Sequence, residues 1–437
     1  MHFHSAKLAL TAAIIAVVAQ FPAEAAKLQK HKNKIDGEYL VVLDPTVKPK
    51  TKQVAHDLVK AHGGKVRDVW EHALQGFSAT LPDEAAAEAL GADPRVVSIE
   101  ENFIEIDAVQ QSCCGGCVPT TTQSLCADGK VPWQKDRIDQ WALPLNNKYR
   151  YCPLYDGSGI DAYVIDTGIR DHADFKGDDG LSRLKPGYVA ASNGGTADDC
   201  YSHGTHVASF LGGRLGGIAP GVSLIPVRVS HDCSGNFHAD KVVAGMNWVA
   251  ADHVSGPAVA NVSLRMSASY AVDTAAWGMV NDRIFVTVGA GNEGYNWACG
   301  FSPQKVPGVL TVGATSKTDV KKGSYGGCIG VHAPGEGVGG ASWAGFNEYN
   351  CNPGWNLTSM SAPLVAGLGA LILDRDPYLL PSEVKAIIIE TSTKDVIVGM
   401  PAGTPNRLIN TSAILDECQT GSICCGPSYC PIPPADH

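Results

Sequence analysis

The sequence predicts an α/β protein: a doubly wound, mostly parallel sheet with helices on both faces, joined to a small ferredoxin-like α+β domain. Three observations predict it. Between about Trp133 and Leu415, short apolar runs alternate with segments of helical period, as in a parallel sheet covered on both sides. Residues 27–109 carry the order strand, helix, strand, strand, helix, strand. The chain holds 14 cysteines, none of them in the first 112 residues, so composition itself divides it.

The N-terminal elements follow from period and punctuation. Tyr39–Leu43 (YLVVL) reads as a strand, and Lys52–His62 is helical up to the stop at Gly63-Gly64. Val66–Trp70 and Gly76–Leu81 (GFSATL) alternate like strands. Asp83 caps a second helix that stops at Gly91, and Val96–Glu100 (VVSIE) is the last strand. Such a domain suits a ligand binder, a dimerisation unit or a propeptide, and the residues alone do not choose. In the larger segment, Ile160–Ile165, Leu224–Val229, Val259–Ser263, Ile284–Gly289 and Val309–Gly313 read as buried strands. Thr205–Leu211, Ala239–Ala251, Val272–Asn281 and Met360–Leu373 read as helices.

Bulk properties narrow the function. The chain has 437 residues, 44% apolar and 18% charged, enough for a sizeable core. A formal net charge of -10 argues against nucleic acid as a partner. Lys7, the apolar run Leu8–Val18 and the small-x-small triplet Ala23-Glu24-Ala25 have the form of an export signal over residues 1–25. That run is too short to span a bilayer. The cysteines fit an oxidising compartment. Cys113, Cys114, Cys117 and Cys126 cluster in a junction at 113–132, and Cys418, Cys424, Cys425 and Cys430 in a Cys- and Pro-rich tail at 416–437. No histidines accompany them at zinc spacing, so disulfides are the better reading.

Three stretches matter together. Ala162–Gly168 puts the Asp166 carboxylate at the end of a buried strand. Ser202–Ala208 puts His203 at a helix start with glycine beside it. Gly354–Pro363 (GWNLTSMSAP) puts Ser359 at another helix start. Each alone has an ordinary explanation, as turn, surface histidine or cap. All three fall at strand-to-helix edges, where parallel sheets build their sites, in the order Asp, His, Ser, which is the order of subtilisin.

At these residues the chain resembles the subtilisin-like serine proteases, most closely their proteinase K-like branch. AYVIDTGI, HGTHVAS, GAGNEG and TSMSAPLVAG carry the resemblance, with GGIAPGVSLIPVRV, VVAGMNWVA and FSPQKVPGVLTVGAT between them, over roughly 133–415. It implies a secreted serine endopeptidase made as a zymogen. Ser359 is then the nucleophile, His203 the general base, and Asp166 the group that orients the imidazole. Asn292 supplies the oxyanion hole with the Ser359 N–H. Ser263, Leu264 and Arg265, with Ala290, Gly291 and Leu357, line the substrate cleft, where an extended peptide adds as a strand. The 27–109 domain becomes an inhibitory propeptide, cut between about Ile104 and Ser112. Disulfides Cys200–Cys233 and Cys299–Cys328 carry over, and Cys152–Cys351 is a further guess.

The partners implied are protein or peptide substrates and the chain's own propeptide, with a monomeric mature enzyme and no membrane after signal removal. No cofactor is expected, and no metal is assigned. Relatives bind calcium, but the position of one familiar liganding aspartate is Ser316 here, with Asp319 nearby. His206 reads as structural. Leu357 and Arg265 stand where the family has glycine. Arg265 suggests either a partner for an acidic substrate residue or a side chain in solvent. Ser202, Ser209 and Leu364 also depart from the pattern and are expected to affect packing only. Of three glycosylation sequons, Asn410 is the better acceptor and Asn261 and Asn356 the worse. Leu357 and Arg265 motivate one rival, a catalytically silent peptide- or inhibitor-binding homologue. An α/β-hydrolase esterase would need G-x-S-x-G and the order Ser, Asp, His.

Overall fold

The computed structural model describes residues 26–106, 120–121, 131–150, 154–190, 195–233, 235–294, 297–342, 345–350 and 357–411. The signal segment, the C-terminal tail, Cys113–Cys126, Cys152, Cys351, Asn356 and Asp107 lie outside them.

The N-terminal unit runs β1 (Lys34–Leu43), α1 (Thr51–Ala61), β2 (Lys65–Trp70), β3 (Gly76–Thr80), α2 (Glu84–Gly91) and β4 (Val96–Ile106). The strands pair antiparallel in the order β4-β1-β3-β2, the arrangement expected for this element sequence. Asp83 caps α2 by accepting the Ala86 N–H at 2.8 Å. Alternation along β1 buries both faces. Tyr39, Val41 and Leu43 pack on α1 and α2, while Leu40 and Val42 join a core shared with the larger unit. β1 and β4 are longer than the apolar runs suggest. Asn102–Ile106 is extended because it pairs with a strand of the other unit, which a local reading does not see.

The larger unit contains α3 (Trp133–Ile138), β5 (Asp161–Asp166), α4 (His203–Gly212), β6 (Ser223–Arg228), β7 (Asn236–His238), α5 (Ala239–Asp252), β8 (Ala258–Val262), α6 (Tyr270–Asn281), β9 (Ile284–Gly289), β10 (Leu310–Thr315), β11 (Ile329–Pro334), α7 (Thr358–Arg375) and α8 (Pro381–Thr391). α3, β11 and α8 stand where the sequence reading put no element. The main sheet runs parallel in the order β6-β5-β8-β9-β10-β11. Helices cover both faces. α4 and α7 pack with Val164 and Val312 on one side, and α5 and α6 with Tyr163 and Ile165 on the other. This architecture is the doubly wound α/β class.

Strand order reverses at β5, whose neighbours are β6 on one side and β8 on the other. Such a switch point opens a crevice at the carboxyl ends of the strands. The register Ile165–Val262–Val288 aligns β5, β8 and β9. The residues that follow, Asp166, Ser263 and Gly289, therefore sit at one level on that edge.

Candidate active site

His203 is the first residue of α4, and its Nδ1 lies 2.8 and 3.0 Å from the two carboxylate oxygens of Asp166. Both side chains are buried. A carboxylate can only accept, so the bond puts the proton on Nδ1 and makes Nε2 the ring's acceptor atom. Three features bring the pair together. Gly204 lets α4 approach β5, since a Cβ there would stand 2.1 Å from the Gly168 carbonyl. The Thr167 hydroxyl accepts the Gly204 N–H at 2.9 Å. Buried Asp199 caps the helix, accepting the Ser202 and Thr205 N–H groups and the Thr205 and Thr167 hydroxyls. Cys200, beside this cap, is bonded to Cys233.

Ser359 is the second residue of α7. Pro363 lies inside that helix, and it lacks the N–H that would bond the carbonyl of residue 359. The Ser263 hydroxyl takes that place, donating to the Ser359 carbonyl at 2.8 Å. Asn261 Nδ2 donates in turn to Ser263 Oγ at 2.9 Å, and the Thr287 hydroxyl donates to Asn261 Oδ1 at 3.1 Å. A buried polar chain thus ties β9 and β8 to the first turn of α7. Nothing in the local sequence reports it except the proline.

Asn292 follows the Gly289-Ala290-Gly291 turn, where Gly291 has φ 102°. Its Oδ1 accepts the Thr358 N–H at 3.2 Å and the Thr358 hydroxyl at 2.9 Å. That fixes which end of the amide is oxygen and turns the NH2 end away from Thr358. Thr358 Oγ1 accepts the Gly291 N–H at 3.0 Å. Gly289 lies against the Thr358 backbone, where a Cβ would come within about 3.1 Å of the carbonyl. Buried Gln304 donates to the Leu264 and Gly289 carbonyls at 2.8 and 2.7 Å, so one side chain spaces the two walls. Asp166 and His203 thus meet directly, and Asn292, Ser263 and Ser359 are linked through the first turn of α7.

Residues 157–409 match the model of the subtilase family (peptidase S8). The chain belongs to the subtilase family. An extracellular serine proteinase of Thermus sp. (strain Rt41A) is 39% identical over 353 residues, spanning 80% of this chain and 78% of that one. Alkaline serine exoprotease A of Vibrio alginolyticus is 36% identical over 84% of this chain and 64% of its own. A crystal structure of a cold-adapted subtilisin-like serine proteinase superposes with a TM-score of 0.59 at 35% identity, covering 65% of this chain and 99% of that one. The subtilases are serine proteinases, hydrolases acting on peptide bonds, and this chain is one of them.

Several expectations meet their atoms in this subtilase. His206 is buried, its Nδ1 3.1 Å from the Ala341 carbonyl and its ring edge-on to Phe210; burial pushes its imidazole down to about 4. Arg265 does not swing into solvent. Its guanidinium lies 4.2 Å from the Phe301 ring centroid, and Nη1 makes a close contact of 2.9 Å with Glu293 Oε2, poorly aligned as a hydrogen bond. Cys299 and Cys328 are bonded, with Cα atoms 5.6 Å apart. Asp319 gives both oxygens to buried Arg137, at 2.7 and 2.9 Å, joining α3 to the loop after β10. Among the described residues, no group of three or more His, Cys, Asp or Glu side chains is gathered as a metal would need.

Two expectations need correction. Asn410 is buried, and its amide nitrogen faces Gln140 and Thr393, so the folded chain leaves no room for a glycan there. Ser202 and Leu357 do more than alter packing, because both have positive φ, 96° and 118°, directly ahead of the helices that carry His203 and Ser359.

Proposed function

We propose that the chain is a secreted serine endopeptidase made as a zymogen, with Ser359 as nucleophile, His203 as general base and acid, and Asp166 as the residue that holds the imidazole. The buried 2.8 Å contact between His203 Nδ1 and Asp166 carries the reading, because it leaves Nε2 as the acceptor for a hydroxyl proton. Nε2 takes the Ser359 proton as Oγ attacks the scissile carbonyl, and gives it to the leaving amine when the C–N bond breaks. The Asn292 amide and the Ser359 N–H stabilise the tetrahedral oxyanion. In subtilisin, a member of this same family and the source of the figure, losing such a donor costs ~10²–10³ in kcat.

In this reading residues 1–25 are a signal, 27–109 an inhibitory propeptide, 113–132 a Cys-rich junction, 133–415 the catalytic domain and 416–437 a tail. The mature enzyme is a monomer. Contacts between the two units support the propeptide role. Ile104, Glu105 and Ile106 pair antiparallel with His238, Phe237 and Asn236 of β7. Glu105 Oε2 accepts the Ser267 N–H and hydroxyl, each at 3.0 Å, just past Ser263-Leu264-Arg265. The end of β4 thus lies as an added strand, the way a peptide substrate would. Glu100 Oε1 accepts the Ser269 hydroxyl and Ala271 N–H at the start of α6, each at 2.9 Å. Asn102 Oδ1 accepts the Asp240 N–H at the start of α5, at 3.1 Å. Two helix N-termini of the larger unit are therefore capped from the smaller one. Secretion is supported by the signal-like segment and by relatives named as extracellular; among the described residues no helix is long and apolar enough to cross a membrane.

A fluorophosphonate should label the processed protein at Ser359, and Ser359→Ala should abolish both labelling and peptide hydrolysis. A mature N-terminus between Ile104 and Ser112, read by mass spectrometry, should appear in wild type and not in the alanine variant. Absence of labelling in folded, propeptide-free protein would leave a peptide-binding homologue as the reading.

A further inference from the structure

We infer that Arg265 and Glu293 form an internal ion pair that keeps the primary side-chain pocket uncharged, so that the enzyme selects uncharged residues on the acyl side of the scissile bond. The inference rests on the proposed reading of Ser359. Both residues face the turn beside the proposed oxyanion donor. A Cβ built on Gly291 would lie 3.1 Å from Arg265 Cδ, 3.6 Å from Glu293 Oε2 and 2.9 Å from Ser324 Oγ. Arg265 follows Ser263-Leu264 on one wall, and Glu293 follows Asn292 on the other. Gln304 holds those walls together through the Leu264 and Gly289 carbonyls. The pair therefore bridges the two sides of one cleft, a few residues in sequence from each catalytic element.

The charges are positioned to cancel. Their atoms approach to 2.9 Å, and the side chains are only 21% and 26% exposed. The guanidinium is also held from behind by the face of Phe301, 4.2 Å from the ring centroid. An arginine fixed by a ring on one side and a carboxylate on another is not presented to substrate as a free cation, and the carboxylate is likewise committed. Removing either partner leaves the other charge half-desolvated and unpaired in the pocket wall, where an opposite charge on a substrate can satisfy it. A basic substrate residue would meet Glu293 only when Arg265 is gone, and an acidic one would meet Arg265 only when Glu293 is gone.

The test is kcat/KM over a peptide series varied only at the residue before the scissile bond. Active sites are counted by fluorophosphonate titration. Wild type should prefer uncharged side chains over Lys, Arg, Asp and Glu. Arg265→Met, which keeps a stem to lie on Phe301, should raise the Lys-to-Leu ratio about tenfold. Glu293→Gln should raise the Glu-to-Leu ratio about tenfold, and the double variant should return to the wild-type profile. A wild type that already favours acidic or basic residues overturns the inference, as does an unchanged charge profile in a titratable single variant. If one variant fails to fold, the other decides. Wild type that takes no label defeats the Ser359 reading and the pocket proposal with it; label with an unchanged profile defeats the pocket proposal alone.

Discussion

Ser202 holds φ at 96° with its hydroxyl buried and without a hydrogen-bond partner among the described residues. Positive φ costs a non-glycine residue about 1–3 kcal/mol, and a buried unsatisfied hydroxyl adds to that. Glycine carries neither penalty, and its extra freedom in the unfolded chain costs roughly 0.5–1 kcal/mol in return. Ser202→Gly should therefore stabilise the protein by about 1 kcal/mol, a rise of roughly 2–4 °C in Tm by calorimetry. An unchanged or lower Tm would mean that the surrounding Asp199 cap relaxes around serine. Leu357, at φ 118°, carries the same backbone strain, but its half-buried side chain offsets part of the gain from glycine. These positions were legible as departures from a family pattern. That they are strained was not, because φ is set by how the chain enters each helix.

At the scale of elements, the first turn of α7 depends on a substitution of donors. Pro363 removes the N–H that would bond the Ser359 carbonyl, and Ser263 supplies a hydroxyl instead. Ser263→Ala should cost about 1–3 kcal/mol in chemical denaturation, the penalty for an unpaired buried carbonyl. In a Pro363→Ala background, where a helical N–H is restored, the same change should cost far less; equal costs in the two backgrounds would refute the coupling. The docking of the smaller unit rests on a comparable device. Glu100 is a charged acceptor at the start of α6, so Glu100→Ala in the separately added 27–109 domain should weaken inhibition of the mature enzyme about ten- to a hundredfold in Ki. A Ki within twofold of wild type would assign the docking to the shared apolar core around Trp70, Leu74 and Phe103 instead. The sequence displayed these elements well where a face is apolar. It hid β11, α3 and α8, whose signals are short or whose burial is two-sided.

For the whole molecule, burial of imidazole couples stability to pH. His206 and His332 are buried, and desolvation pushes both down to about 4 from an ordinary value near 6.5. Below 6.5 the unfolded chain takes up protons that the folded one refuses, so stability falls as pH drops from about 6.5 to 4. Each group accounts for up to about 3 kcal/mol. Asp139, raised to about 6 by burial, acts with the opposite sign across the same window. With two buried histidines against one half-shielded carboxyl, the Tm of the self-digestion-free Ser359→Ala protein should fall between pH 7 and 4.5. His332→Gln should flatten that fall; an equally steep acid limb in the variant would count against the assignment.

The sequence by itself determined the class of the sheet, the order of its elements, and the residues Asp166, His203, Asn292 and Ser359 as candidates. Each sits in a short stretch whose glycines and strand-to-helix junctions are local properties of the chain. Only the tertiary structure decided what holds them. Asp199 under α4, Asn261 and Thr287 behind Ser263, Gln304 between the walls, Glu293 against Arg265 and Glu100 across the units all act on residues distant in the chain. A buried polar side chain looks the same in sequence whatever it bonds. Its partner is fixed by which strands align and which helices cross them, and that alignment follows from packing two apolar faces at once.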